Sequence, residues 1–138
     1  MWTCPYCNTD FVKNNQTHSC NERTMTDHFK GKSETTIALY NYFVSELRKI
    51  GKFQVHPTKT FIMFSTGKNF AWVHRLGKNY VDITFLFNEA HEDNLCFYKI
   101  ANVPGSTQHN HYFRMQSIDD INEEVRKFMK MAMNRAGN

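Results

Sequence analysis

Along one stretch of this chain Val81, Ile83, Phe85 and Phe87 alternate with Tyr80, Asp82, Thr84 and Leu86. A period of two is what a pleated strand imposes when one of its faces meets a core. An α-helix would scatter the same four apolar residues around its axis, so the stretch demands a β-strand and, with it, partners for both of its edges. Five further stretches, near residues 53–56, 60–66, 69–75, 96–101 and 109–116, share the short length and the β-branched and aromatic content of strands. The links between them contain Pro57, Thr66-Gly67, Gly77-Lys78 and Pro104-Gly105. They are too short for the crossovers that parallel strands need, so the expected sheet has five or six strands, is mostly antiparallel and is built from hairpins.

Two helical stripes bracket these strands. Ile37, Tyr40, Phe43, Val44, Leu47 and Ile50 recur at helical spacing, with Ser33 placed as N-cap, Glu34 in the first turn and Gly51 as the stop. At the other end Ser117 is placed as N-cap, with Asp119 and Asp120 in the first turn. Ile118, Ile121, Val125, Phe128, Met129, Ala132 and Met133 then form one face. Helices at both ends of an antiparallel sheet make an α+β layer structure. With 138 residues, 41% of them apolar, the chain has material for one such core and a short appendage. The expected division is a zinc-binding segment over residues 1–32 and an α+β domain over residues 33–138.

The appendage is polar and too poor in apolar side chains to fold around a core of its own. It holds three of the four cysteines, as Cys4-Pro5-Tyr6-Cys7 followed by His18-Ser19-Cys20. Cys-x2-Cys lets two thiolates reach one ion from a tight knuckle, and His-x-Cys in extended chain points two more donors to the same side. Four soft donors favour tetrahedral Zn2+ with no position left open for catalysis, hence a structural zinc at Cys4, Cys7, His18 and Cys20. His28 is the alternative to Cys20 as fourth ligand. Cys96, alone in an apolar segment, reads as a small core residue.

The stretches Trp2-Thr3-Cys4-Pro5-Tyr6-Cys7, Asn15-Gln16-Thr17-His18-Ser19-Cys20, Asp27-His28-Phe29, Val55-His56-Pro57-Thr58-Lys59-Thr60 and Phe70-Ala71-Trp72 together resemble the DUF5655 family of bacterial domains, over about residues 1–133. The resemblance implies the α+β architecture and assigns it no activity. It also implies that the zinc lead is not required by the main domain.

Candidate binding groups come from the residues themselves. His56, Lys59 and Thr60 surround Pro57, which favours an extended or edge conformation and would present an imidazole, hydroxyls and an ammonium together, a set suited to phosphate or carboxylate. Arg75 is expected opposite the strand face that bears Phe70, Trp72 and His74. Arg114 alternates with Phe113 and Met115, and His111 shares a face with His109 and Phe113. Arg75, Arg114 and His111 complete the candidate set. The usual signatures fail: there is no glycine-rich phosphate loop, no Gly-x-Ser-x-Gly elbow, and no acidic pair with a following lysine of nuclease type. The leading expectation is therefore a small zinc-containing binding module, not an enzyme, whose sheet recognises nucleic acid or another anionic partner. Its lysines and arginines (Lys49, Lys52, Lys59, Lys68, Arg75, Lys78) would lie beside Trp72 and Tyr80. The alternatives are a small-molecule anion pocket or enzyme centred on His56, Lys59 and Arg114, and a protein-interaction adaptor. The net charge of +4 is compatible with each. The N-terminus lacks the pattern of a secretory signal and no stretch is long and apolar enough to span a bilayer, so a cytoplasmic protein is expected.

Overall fold

The computed structural model describes residues 2–3, 10–11, 25–92 and 96–137. In chain order the elements are strands β1 (Trp2–Thr3) and β2 (Asp10–Phe11), helices α1 (Met25–Phe29) and α2 (Glu34–Ile50), and strands β3 (Gln54–Pro57), β4 (Ile62–Ser65), β5 (Asn69–Gly77), β6 (Tyr80–Phe87), β7 (Lys99–Asn102) and β8 (His109–Met115). Helix α3 (Glu123–Gly137) ends the chain. β1 and β2 pair with each other, and the other six strands form one antiparallel sheet in the order β3-β4-β5-β6-β8-β7. This is the expected α+β architecture, with six strands.

The sheet is not a simple meander. β7 takes the outer edge, and β8 returns between it and β6. The expected six stretches each overlap one of these strands, but their order in space depends on the 88–98 connection, which carries the chain past the position beside β6 that β8 later fills.

Both long helices lie on the sheet face formed by Val81, Ile83, Phe85 and Phe87, with Phe43 and Leu47 of α2 and Phe128 and Met129 of α3 in the same core. Ser33 caps α2 as expected: its hydroxyl accepts from the Thr36 amide at 3.1 Å. Ser117 caps only a 3-10 turn over Ile118–Asp120. α3 starts later than its pattern suggested because Asn122 takes the cap, its side-chain oxygen accepting from the Val125 amide at 3.0 Å. Glu46, buried between the two helices, receives Arg126 Nη2 at 2.8 Å and Lys49 Nζ at 2.9 Å. Hydrogen bonds from Arg126 first and then Lys49 hold its carboxyl down at about 2.

α1 lies outside the expected elements. It packs through Phe29 edge-on to Tyr40, ring centroids 5.2 Å apart, and through His28, whose Nε2 donates to the Thr58 carbonyl at 2.7 Å. Residues 25–29 thus join the core of the α+β domain, although the sequence division placed them in the segment 1–32. Cys96 is half-buried against the same core. Burial first, and then the neighbouring Glu124 carboxylate, push its thiol up to about 12, which leaves it unreactive at neutral pH.

Candidate anion-binding notch

Two β-bulges decide which side chains share a site. Phe64 pairs with Ala71 while Ser65 pairs with Asn69, which leaves Phe70 as the extra residue and turns it into the core. Val73 pairs with Ile83 while Arg75 pairs with Asp82, which leaves His74 as the second extra residue. A bulge puts two consecutive residues where regular pleating allows one. Arg75 is therefore on the same face as Trp72 and His74 and not opposite them, and Phe70 is not with them. Strict alternation, which the sequence alone suggests, misassigns both positions.

On that face, away from the helices, the register sets His56, Met63, Trp72, Thr84, Tyr112 and Lys99 in one cross-strand row, with Arg75, Asp82 and Arg114 in the next. Asp82 is buried, and Arg114 grips it through Nε at 2.8 Å and Nη2 at 2.9 Å while stacking on Tyr80 at 4.3 Å. The carboxylate holds the Arg114 guanidinium firmly in its charged form. His74 donates or accepts at Thr84 Oγ1 through Nδ1 at 2.9 Å, with Nε2 3.8 Å from Asp82. Burial lowers its imidazole below the usual value, against the opposing pull of Asp82. Arg114 is thus a partner for Asp82 through Nε and Nη2.

His111 is removed from the candidate set. It is 0% exposed, on the helix side of the sheet, between Phe87 and Phe97 with ring centroids at 4.8 and 4.9 Å. His56 stands on the edge strand β3, with Pro57 closing the pairing against Ile62. Thr58 and Phe61 close a turn, the Thr58 amide donating to the Phe61 carbonyl at 2.7 Å, which leaves Lys59 and Thr60 exposed at its tip. The zinc ligands Cys4, Cys7, His18 and Cys20 lie outside the described residues. His28, the alternative ligand, has Nε2 committed to Thr58.

The groups that do converge stand at a notch in the sheet. β4 begins at Ile62, opposite Val73, whereas β5 runs on to Gly77, so among the described residues His74–Gly77 continue with no strand beside them on that side. The turn that carries Thr60 and the α1–α2 connection face this open strand edge across a cleft of about 760 Å3. The wall at the α2 end is clamped. Thr36 Oγ1 donates to the Gly77 carbonyl at 2.7 Å and accepts from the Asn79 amide at 2.9 Å, and Ser33 Oγ donates to Asn79 Oδ1 at 2.8 Å. Asn79 adopts φ 62°, a left-handed conformation that asparagine tolerates in a hairpin turn.

Lys32, Arg75 and Lys78 line the cleft together with His28 and His74, and no carboxylate does among the described residues. Arg75 makes a long hydrogen bond, 3.4 Å from Nη1 to the Tyr80 hydroxyl. Of the expected binding set, then, Arg75 and Thr60 line one cleft; His56, Lys59, Arg114 and His111 do not. Lys32 was missed because it belongs to the segment 1–32, far from Arg75 in sequence, and only the packing of α1 brings it near.

A family model described as a domain of unknown function, DUF5655, matches residues 25–136. The chain belongs to the DUF5655 family. No curated protein and no solved structure matches it. The DUF5655 match starts at the first residue of α1 and spans every element that lines the cleft, while the zinc motif lies before it. No helix among the described residues is long and apolar enough to cross a membrane.

Proposed function

We propose that this DUF5655 protein is a small anion-binding module, with nucleic acid as its first ligand class and the notch as the site of contact. The observation that carries this reading is the cation set of the cleft, Lys32, Arg75 and Lys78, with no carboxylate among its described lining residues. Three like charges on one concave surface repel each other, and a bound polyanion relieves that repulsion while releasing its own counterions. Trp72 lies in the neighbouring row, stacked on Phe61 at 6.0 Å, and offers an aromatic surface beside the charges. The enzyme reading centred on His56, Lys59 and Arg114 has less support, since Asp82 holds Arg114.

Fluorescence anisotropy against short single- and double-stranded DNA and RNA tests the module. The triple variant Lys32→Ala, Arg75→Ala, Lys78→Ala is expected to weaken binding at least about tenfold and to flatten the salt dependence, each lost phosphate contact removing roughly 0.7–0.9 from the slope of log K against log salt. All three side chains are exposed, so the variant should remain folded. Replacing Lys127 and Lys130, exposed on α3, should leave binding unchanged. Equal loss in both variants would mean a diffuse charge effect and no site.

The N-terminal arm we read as a structural zinc site at Cys4, Cys7, His18 and Cys20. The pairing of Trp2 with Phe11 and of Thr3 with Asp10 supports this, because it joins the two ends of the segment that contains Cys4 and Cys7. It is the arrangement in which a Cys-x2-Cys knuckle meets one ion. About one zinc per chain is expected by elemental analysis, lost in Cys4→Ser and Cys7→Ser. Zinc retained in Cys20→Ser but lost in His28→Ala would move the fourth ligand to His28, and a folded protein without metal would end the reading.

A further inference from the structure

Resting on the nucleic-acid reading, we propose that the bound form is single-stranded and that its bases stack on the sheet face turned away from the helices. Strands β3–β8 contain one acidic residue, Asp82, and three lysines or arginines, Arg75, Lys99 and Arg114. The register places all four on this face. Arg114 neutralises the buried Asp82, so Arg75 and Lys99 leave the face with net positive charge. Arg75 also lines the notch, which makes the charged rim of the cleft and this face continuous.

Among these charges stand aromatic rings that solvent reaches. Trp72 and Tyr112 flank Thr84 in one cross-strand row, and both are half-buried. Tyr98, just before β7, is 52% exposed although its amide is tied to the Tyr112 carbonyl at 2.9 Å. Its ring lies 6.1 Å from that of Tyr112, Lys99 Nζ stands 5.5 Å over Tyr112, and Arg114 Cζ stands 5.4 Å over Tyr98. These contacts hold the rings in place, so a ligand that covers them removes little further rotamer freedom. One exposed tyrosine is ordinary. Three large rings beside cations, with the one carboxylate already paired, suit flat apolar groups joined by negative charges. A single strand has that pattern, because its bases present their ring faces one by one, whereas a duplex keeps those faces stacked on each other. An acidic peptide would supply the charge without the flat rings.

Fluorescence anisotropy of the full chain compares a short labelled single strand, as DNA and as RNA, with its duplex, with an abasic strand of the same phosphate number and with poly-glutamate. The single strand is expected to bind about tenfold or more tighter than the duplex or the abasic strand. Tyr98→Ala and Trp72→Ala are each expected to weaken single-strand binding about fivefold or more. The salt slope should stay as it is, because no phosphate contact is lost. Tyr98→Phe and Trp72→Phe, which keep a ring, should retain the affinity. Tyr98 is exposed, so its variants keep the fold even where Trp72→Ala costs stability, and thermal unfolding checks each one. Preference for DNA or for RNA names the source, and either supports the inference. Equal binding of the abasic strand would overturn it and leave the anion reading standing. So would alanine variants that bind like the wild type while the Lys32, Arg75, Lys78 triple variant loses affinity. Poly-glutamate bound as tightly as the single strand would also overturn it, as would self-association of the chain abolished by Tyr98→Ala, which would give the face to a second copy. Absence of binding by every nucleic acid would overturn both readings.

Discussion

Phe85→Ala is expected to cost about 3–5 kcal/mol of folding stability, a large part of the roughly 5–15 kcal/mol available to a domain of this kind. Phe85 is 0% exposed at the centre of β6, and its ring meets Phe43 of α2 at 6.2 Å, Phe113 of β8 at 6.4 Å and Phe97 of the 88–98 connection at 6.3 Å. It is the side chain through which helix, sheet and connection share one core. Truncation opens a cavity that three separate elements would have to move to fill, and closely packed interiors relax only in part. Urea unfolding followed by circular dichroism measures the loss. Trp72→Ala, half-buried on the other face of the sheet, should lose markedly less. Equal losses would mean that the helix side is not the principal core.

His111→Leu carries the second large effect, and it should appear in the pH dependence as well as in the magnitude. The ring is fully buried with both nitrogens used: Nδ1 bonds the His109 carbonyl at 3.0 Å, and Nε2 accepts from the His91 amide at 3.0 Å. A carbonyl can only accept, so Nδ1 carries the proton and the imidazole is neutral. Leucine keeps the bulk but leaves a partly buried amide and a partly buried carbonyl without that partner, at up to about 1–3 kcal/mol for each group left unsatisfied. Burial lowers the His111 imidazole below its usual value, against the opposing hydrogen bond to the His109 carbonyl, and the nearby His91 acts in the direction of burial. The unfolded chain binds a proton at about pH 6.5 that the folded chain excludes, so the stability from His111 is complete above that value and is lost as pH falls below it. His74, also lowered, contributes in the same window. The wild-type protein should therefore lose stability on acidification from about pH 7 to 5. His111→Leu should be less stable at neutral pH and show a shallower loss over that range. An unchanged slope would assign the acid sensitivity to His74, which His74→Gln would then remove.

Much of this could be read from the residues. Alternation in β6 determined which four side chains meet the helices, because a period of two leaves a strand no other way to face a core. The stripe from Ile37 to Ile50, with Ser33 and Gly51 at its ends, determined α2, since capping and helical spacing are local. The two acidic residues after Ser117 misled the start of α3, because Asn122 caps a helix equally well and lies beside the actual first turn.

The site was less legible. Arg75 and Thr60 were visible as candidates, but a bulge at His74 set the direction of Arg75, and a bulge is a property of two paired strands that neither strand shows alone. His111 and Arg114 looked like ligand groups because histidine and arginine carry binding chemistry. Tertiary packing instead buried one among Phe87, His91 and Phe97 and paired the other with Asp82. Lys32 joined the cleft only because His28 and Phe29 anchor α1 to the far end of the sheet. Local spacing thus determined the elements and the inward faces of the strands and helices. The notch came from unequal strand lengths, bulges and a docked short helix, all of them contacts between residues distant in sequence, and these only the tertiary structure decided.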